Sequence, residues 1–240
     1  MGRGNRFQAL LALTRFPLLP TAVADSAAGY LIALPARAAP SPQVLAYLAA
    51  ASGCLYMGGM ILNDVADLER DRTLHPGRPL PGGALRRDQA GLLCAFLAGC
   101  GYAASCLASQ RAAGVTLALL LAIASYDLFL KRWRIPGALA MGACRGLNLT
   151  LGYVAGGGIL LQGAPIQALL LGAYVTAVTL LSTLEERHAS AARWVAILLR
   201  GIIPLDAAMV LQKGRCLEAI AILALLPLAL GLRRLLPRHE

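Results

Sequence analysis

The recurrence of apolar segments about 20 residues long is the feature that most limits how this chain can fold. A helix of that length matches the hydrocarbon core of a bilayer, where only helices and closed barrels satisfy their backbone hydrogen bonds. Of the residues, 58% are hydrophobic and 14% are charged, whereas roughly a quarter are charged in soluble domains. The sequence therefore predicts an all-α, polytopic transmembrane helical bundle and a single domain over residues 1–240.

The breaks between the apolar stretches predict about eight helices around a central cavity. We place them at about 7–34, from about 43 into an acidic segment, then at 89–109, 112–130, 136–161, 165–184, 191–212 and 216–236. The longest hydrophilic stretch, Arg70 to Asp88, is rich in Pro and Gly and therefore predicts a loop. We expect this loop to lie over the mouth of the cavity, which opens to the cytoplasmic face.

The distribution of positive charge predicts the orientation of the bundle. With the N-terminus in the cytoplasm, most of the 22 Lys and Arg residues are cytoplasmic, and only Arg37, Arg111, Lys213 and Arg215 lie outside. This bias explains the net charge of +10 better than nucleic-acid binding does, because the cations lie in short loops. We expect a multi-pass protein of the cell (inner) membrane with no nucleic-acid partner and with its first helix retained rather than removed as a signal.

The segment from Asn63 to Asp71 carries a dense acidic pattern. On a helix, Asp64, Asp67 and Asp71 share one face because three- and four-residue steps stack there, and Asn63 borders that face. Glu69 points the other way. Three like charges on one face repel each other unless a cation lies between them, and Mg²⁺ takes carboxylate and phosphate oxygens. The segment therefore predicts a Mg²⁺ site formed by the three aspartates, with Asn63 as an added ligand.

Residues 63–83, NDVADLERDRTLHPGRPLPGG, resemble the first aspartate-rich motif of the UbiA superfamily of intramembrane prenyltransferases. The resemblance implies one prenyltransferase domain, a transferase of alkyl or aryl groups other than methyl. It implies Mg²⁺-dependent transfer of an isoprenyl group from an isoprenoid diphosphate to an aromatic or small polar acceptor in the membrane. Arg72 and Arg78 become candidates for binding the diphosphate, and Arg78 also for catalysis.

A second element, Ser125 to Arg132, resembles the Tyr-x-x-x-(x)-Lys-Arg element at the cytoplasmic end of the fourth helix in UbiA-like proteins. The resemblance implies that Lys131 and Arg132 bind the diphosphate and that Tyr126 and Lys131 act in catalysis. An allylic diphosphate leaves when its developing charge is neutralised, which cations and Mg²⁺ achieve. The alternatives are ordinary snorkelling of cations at a helix end, and pairing of Lys131 with Asp127.

Arg145 and Asn148 lie three residues apart inside an apolar span. An arginine inside a membrane is costly, faces the bundle interior and is a functional candidate by default. The string Arg-Gly-Leu-Asn that contains both residues resembles the EboC-like branch of the superfamily, so both are candidates for the catalytic site. The alternative is a structural ion pair of Arg145 with Asp25 or Asp206, which also lie within spans.

The chain departs from the family where a second aspartate motif is expected. Residues 183–188 contain Glu185 and Glu186 but no Asp. Adjacent residues point about 100° apart on a helix, so either one glutamate helps to bind a second Mg²⁺ or the second metal is absent. His188 is a candidate base or a solvated loop residue.

Two further functions are compatible with the same features. A UbiA-type terpene cyclase would ionise the same diphosphate and capture the cation with the substrate's own double bonds. A non-catalytic isoprenoid-lipid carrier would bind the diphosphate lipid without turnover, and the degenerate second acidic motif keeps this reading open. The identity of the acceptor, the prenyl chain length and the oligomeric state are left open by the sequence.

Overall fold

The computed structural model describes residues 3–35, 37–160, 165–183 and 189–232, and over these residues the protein is helical without strands. The all-α prediction is therefore confirmed. Short 3₁₀ turns cover Phe16–Leu18 and Leu130–Arg132. The helices are α1 Arg3–Leu13, α2 Leu19–Ala33, α3 Pro42–Ala66, α4 Leu68–Leu74, α5 Arg87–Ala108, α6 Gln110–Leu128, α7 Arg134–Ala155, α8 Ile166–Ser182, α9 Ala189–Arg200, α10 Ile202–Leu211, α11 Cys216–Leu223 and α12 Leu225–Leu232.

Five helical segments of the described chain are long and apolar enough to cross a membrane. They are Phe16–Ala33, Pro42–Ala66, Arg87–Ala108, Gln110–Leu128 and Arg193–Leu211, and Ile166–Ser182 and Cys216–Leu232 are shorter apolar segments. Large apolar side chains point outward from the bundle, including Phe96, Leu121 and Leu217, which are 66%, 69% and 80% exposed. Such a surface is costly in water and suits a lipid environment. The count of about eight spans stays a prediction.

Two predicted spans are each built from two helices, with a break at Gly201 in the first and at Ala224 in the second. In each case a proline lies four residues after the last residue of the first helix: Pro204 follows Arg200, and Pro227 follows Leu223. A proline ring clashes with the carbonyl four residues earlier and supplies no N–H donor, so the helix stops there.

The bundle is organised around α3 and α7. Helix α3 packs against α2, α5 and α6, and α7 packs against α2, α6 and α8. The main buried cluster includes Leu48, Leu149 and Ile203, and a smaller cluster brings Leu80 of the loop after α4 against Ile61 of α3. This contact anchors the loop on the bundle at the end where α3 finishes.

Helices α2 and α7 cross at very short range because glycines lie at the crossing. A Cβ added at Gly29 would overlap the backbone of Leu149, and one added at Gly152 would overlap the backbone of Ser26. Small residues at such crossings are typical of membrane helices because they let two backbones approach closely. Asp25 is four residues before Gly29, so the same face carries a charged group into the crossing.

The N-terminal end of α3 is stabilised by a buried arginine, Arg215. Arg215, only 4% exposed, pairs with Glu218 at 2.8 Å and donates to the carbonyls of Pro35 at 2.6 Å and Ala38 at 2.9 Å. These contacts hold the α2–α3 connection and the α10–α11 turn together. The acidic motif lies at the other end of α3, about 35 Å away along a 25-residue helix.

Candidate active site

The acidic motif begins on α3 and continues onto α4. Helix α3 ends at Ala66 and Asp67 separates it from α4. The loop predicted from Arg70 is wrong at its start, because α4 continues to Leu74. The backbone N–H groups of Asp67 and Asp71 still donate to Asn63 and Asp67 carbonyls at 3.0 and 2.8 Å. The helical hydrogen-bond pattern therefore continues from α3 into α4. Asp64 and Asp71 are buried, with 7% and 3% exposure.

Each aspartate of the motif forms an ion pair with a cation from a different part of the chain. The cations come from the turn before α2, the loop after α4 and the 3₁₀ turn after α6. The pairs are Arg15 Nη2–Asp64 Oδ1 at 3.7 Å, Lys131 Nζ–Asp67 Oδ2 at 2.8 Å and Arg78 Nη1–Asp71 Oδ2 at 2.6 Å. The repulsion expected along this acidic face is thus balanced by three converging cations.

Arg15 is a site residue that the sequence reasoning missed. It lies between α1 and the first 3₁₀ turn in the left-handed region, with φ 45° and ψ 43°, which costs a non-glycine residue free energy. This backbone conformation accompanies a side chain that reaches Asp64 while staying 43% exposed. The signal in the sequence was an arginine inside the first apolar span, directly before Phe16 and Pro17.

The carboxylate oxygens of the motif are suitable ligands for a Mg²⁺ ion. Among the described residues, Asp64 Oδ1 is buried without a hydrogen-bond partner, and its 3.7 Å distance to Arg15 is too long for a hydrogen bond. Within the described ranges, no three His, Cys, Asp or Glu side chains converge on one point. A hard cation that takes one or two carboxylates and completes its shell with phosphate oxygens and water is compatible with both findings.

Asn63 connects the motif to α6. Its Nδ2 donates to Asp127 Oδ1 at 2.7 Å, and its backbone carbonyl lies 3.4 Å from Lys131 Nζ. Lys131 therefore pairs with Asp67 rather than with Asp127, and the alternative pairing is wrong. The role of Asn63 as an added metal ligand stays a prediction.

The predicted diphosphate-binding cations divide into two groups. Arg78 and Lys131 lie within the cluster of ion pairs, and Arg132 lines a pocket beside it. Arg72 lies outside this cluster of ion pairs, because its Nη1 lies 2.9 Å from both carboxylate oxygens of the exposed Glu69. Glu69 is exposed whereas Asp64 and Asp71 are buried, which agrees with the prediction that it points the other way.

A largely apolar cavity lies inside the bundle between α3, α6 and α7, and one of its ends is next to the acidic motif because Asp127, which lines it, accepts a hydrogen bond from Asn63. Tyr126 and Asp127 lie at its motif end, and Ser52 and Asn148 line its inner end. Along α3, the distance from Ser52 to the motif at Asn63 is about 16 Å. Its other lining residues are Ala22, Leu55, Tyr56, Gly59, Met60, Leu119, Ile123, Met141, Cys144 and Arg145.

A buried polar network closes the inner end of this cavity. Arg145 Nη1 donates to Asp25 Oδ2 at 2.7 Å, and its Nη2 donates to Thr21 Oγ1 at 2.9 Å. Asn148 Nδ2 also donates to Asp25, at 3.2 Å, and its Oδ1 accepts from Ser52 at 2.9 Å. The structural ion pair that the sequence left open for Arg145 is therefore formed with Asp25.

The second partner considered for Arg145, Asp206, lies on α10 next to the same network. Its side chain is fully buried beside Asp25, and neither of its carboxylate oxygens accepts a hydrogen bond within the described residues. Arg145 also lies over the ring of Tyr56, with its guanidinium carbon 5.9 Å from the centroid. The catalytic roles of Arg145 and Asn148 stay predictions, and Glu185, Glu186 and His188 lie outside the described residues.

Comparison with known proteins identifies the family. The model of the UbiA prenyltransferase family matches residues 18–232, which is most of the chain. The chain belongs to the UbiA prenyltransferase family. With its apolar helices, this UbiA family member is a multi-pass membrane protein.

Two archaeal relatives carry the same name, digeranylgeranylglyceryl phosphate synthase. The protein of Thermococcus gammatolerans is 34% identical over 125 residues, covering 50% of this chain and 43% of that one. The protein of Methanoculleus marisnigri is 29% identical over 160 residues, covering 66% of this chain and 52% of that one. The chain thus matches about half the length of these curated relatives.

The fold is that of solved UbiA homologues. A UbiA homologue from Archaeoglobus fulgidus bound to DMAPP and Mg²⁺ superposes with a TM-score of 0.61 at 15% identity, covering 92% of this chain and 84% of that one. This likeness concerns the fold alone.

Proposed function

We propose that this UbiA family member transfers an isoprenyl group from an isoprenyl diphosphate to an acceptor in the membrane. The observation that carries the proposal is the set of three ion pairs between the motif aspartates and Arg15, Arg78 and Lys131. A diphosphate with its metal presents both signs of charge to this cluster. Carboxylates then face the metal and cations face the phosphate oxygens, so each half of every pair gains a partner of opposite charge.

Mg²⁺ held by one or two carboxylates of the set Asp64, Asp67 and Asp71 would supply charge neutralisation for the diphosphate. Arg78 and Lys131 bind the oxygens on which negative charge grows as the bond to C1 breaks, and they do so most strongly when that charge is fully developed. The burial of Asp64 and Asp71 shields these two carboxylates from bulk water, which strengthens their electrostatic interactions.

The isoprenyl tail lies in the cavity between α3, α6 and α7, with its apolar lining excluding water from the allylic cation. Tyr126 lines the end of the cavity next to the motif, and the proposal assigns to it contact with the first isoprene unit. An intramembrane cavity of this kind protects a reactive cation until the acceptor attacks.

The donor and metal assignments draw support from the Archaeoglobus fulgidus homologue that binds DMAPP and Mg²⁺. For the acceptor, the sequence favours an aromatic or small polar molecule, whereas the names of the relatives point to a glyceryl phosphate lipid. The Arg145–Asn148 string favours the EboC-like branch. The acceptor is therefore the part of the proposal that needs direct measurement.

The proposal includes a topology of about eight spans in one domain, with the N-terminus and the active-site loops in the cytoplasm. It draws support from the two ends of the bundle. The α2–α3 and α10–α11 connections, both assigned to the outer face of the membrane, contact each other through Arg215. Lys131 and the acidic motif, both assigned to the cytoplasmic face, contact each other at the C-terminal end of α3. The proposal also keeps Glu185 or Glu186 as a ligand of a second Mg²⁺.

The direct test is incubation of the purified protein with Mg²⁺ and a labelled isoprenoid diphosphate, with and without a panel of acceptors. Release of diphosphate that depends on an acceptor and yields a prenylated product is the expected result. Release without any acceptor would instead indicate cyclisation or hydrolysis. Binding of the diphosphate lipid with no release under any condition would indicate a carrier.

A further inference from the structure

A basic pocket lies beside the acidic motif, where the ends of α3 and α6 meet the start of α5. It is lined by Arg70, Arg87, Lys131 and Arg132, together with Asp67 and Asp127. Its volume of about 360 Å³ falls within the roughly 300–1,000 Å³ typical of small-molecule sites. We call this space the basic pocket.

The two carboxylates of the basic pocket already have partners. Asp67 pairs with Lys131 at 2.8 Å, and Asp127 accepts a hydrogen bond from Asn63 at 2.7 Å. Within the part of the chain that the structure describes, Arg132 donates only to the backbone carbonyl of Leu128, at 3.3 Å. The pocket therefore keeps an excess of positive charge that its own acids do not neutralise.

The arginines around the pocket differ in whether they form an ion pair. Arg70 and Arg87 line the pocket, and within the described chain neither forms an ion pair. Their neighbours that do not line it are neutralised locally: Arg72 pairs with Glu69 at 2.9 Å and Arg86 pairs with Asp88 at 2.7 Å. Of Arg70, Arg72, Arg86 and Arg87, the two without an ion pair within the described chain are thus the two at the pocket, where mutual repulsion favours an anionic ligand.

The surroundings of the basic pocket are apolar and exposed. Leu128 lines the pocket and is 40% exposed, and the nearby Phe129 and Trp133 are 59% and 57% exposed. On α6, Leu121 lies two turns before Leu128 on the same face and is also exposed. Aromatic side chains at this level mark the boundary between membrane and water, so a ligand there meets cations at its head and lipid-facing surface along its body.

We propose that the basic pocket binds the phosphate group of an anionic membrane phospholipid. Arg70 and Arg87 contact the phosphate oxygens, since arginine presents a planar set of donors that matches phosphate geometry. The acyl chains lie against the exposed apolar face of α6 that carries Leu121 and Leu128. Because the pocket shares Asp67 and Lys131 with the three ion pairs, the bound lipid holds the edge of the active-site mouth, and this binding is independent of turnover.

The test compares single variants of neighbouring arginines. Purified protein in a neutral detergent is titrated with phosphatidylglycerol, and the fraction carrying bound lipid is measured by native mass spectrometry. Arg87→Gln and Arg70→Gln are each expected to weaken binding by about tenfold or more, the scale of one lost charge-assisted hydrogen bond. Arg86→Gln removes the same charge one residue from Arg87 but outside the pocket, and is expected to leave the affinity unchanged.

Additional measurements separate the possible anions. Phosphatidylcholine is expected to bind at least tenfold more weakly, and inorganic phosphate at equal concentration is expected not to displace phosphatidylglycerol, because it lacks the acyl chains. Displacement by inorganic phosphate would show a site for free anions and overturn the proposal. Equal losses in Arg87→Gln and Arg86→Gln would show attraction by general surface charge and would also overturn it.

Binding of the substrate that donates the isoprenyl group provides the last control. Binding of a Mg²⁺–isoprenyl diphosphate, measured by calorimetry without phospholipid, is expected to be the same in Arg70→Gln, Arg87→Gln and the unmodified protein. Selective loss of donor binding in the two pocket variants would assign the pocket to the donor diphosphate instead. Failure of the unmodified protein to bind any donor would contradict the proposed function alone, because phospholipid binding is measured separately.

Discussion

Lys131 Nζ lies 2.8 Å from Asp67 Oδ2, so a cation predicted to hold the diphosphate and a carboxylate predicted to hold the metal form one ion pair. Two other pairs, Arg78–Asp71 and Arg15–Asp64, repeat this relationship around the same motif. Positive and negative groups are therefore positioned before any ligand arrives. Such preorganisation is the main source of electrostatic stabilisation of developing charge in enzymes.

Replacing Lys131 tests whether this cation acts on the leaving group. Lys131→Ala is expected to lower kcat more than it raises KM for the donor, because the charge on the diphosphate is largest as the bond breaks. The expected loss is about 2–4 kcal/mol in transition-state stabilisation. Steady-state kinetics with the donor varied would measure it, and Lys213→Ala, on the turn after α10, serves as a control. A pure KM effect would contradict the assignment.

Replacing the motif aspartates tests the metal site. Asp64→Asn, Asp67→Asn and Asp71→Asn keep the size of each side chain but weaken the metal ligand and the ion pair. Turnover is expected to fall more than about a hundredfold in each. Glu69→Gln is the matched control, since Glu69 is exposed and pairs with Arg72 outside the cluster. If any of the three variants keeps near-normal Mg²⁺-dependent turnover with an unchanged melting temperature, its place in the metal site is wrong.

The left-handed backbone of Arg15 allows its side chain to be tested apart from folding. Arg15→Gly removes the guanidinium while favouring φ 45°, so the melting temperature is expected to stay the same or rise. The value of kcat/KM for the donor is expected to fall by about tenfold or more through loss of a charge-assisted contact. Arg37→Gly, in the connection between α2 and α3, is the control. Unchanged kinetics in Arg15→Gly would show that its pairing with Asp64 is purely structural.

The expected metal dependence follows from the chemistry of the proposed metal ligands. Every proposed ligand is an oxygen, so turnover and Mg²⁺-dependent diphosphate binding are both expected to be lost in excess EDTA. Mn²⁺ is expected to restore them, and Zn²⁺ is expected to be a poor substitute because it prefers nitrogen and sulfur ligands. Calorimetry of diphosphate binding with each metal gives a readout that does not depend on turnover. Full activity in EDTA would rule out this mechanism.

The helices and part of the site could be predicted from the sequence because both depend on local spacing. Apolar stretches fix where helices lie, and the aspartates share a face through steps of three and four residues. The pairing of each aspartate with one cation could not be predicted, since Arg15, Arg78 and Lys131 come from three separate segments. The contact of Arg145 with Asp25 likewise depends on the close crossing of α2 and α7 at Gly29 and Gly152, which is a tertiary property.

Arg145 is the residue for which a structural and a catalytic role give different measurable results. Its ion pair with Asp25 is buried, and removing one partner of such a pair costs about 3–5 kcal/mol because the other charge is left uncompensated. Arg145→Ala is therefore expected to melt at a clearly lower temperature in detergent. The double variant Arg145→Met with Asp25→Leu removes both charges and is expected to recover much of that loss.

Kinetics on the same proteins then decides whether Arg145 also acts on a substrate. Arg145 and Asn148 line the cavity, so a role in orienting the acceptor predicts a raised KM for the acceptor and unchanged binding of the donor. The stable double variant should show the same selective defect, because it lacks the guanidinium but not the fold. If the double variant is stable and treats both substrates normally, Arg145 serves only to hold α2 and α7 together.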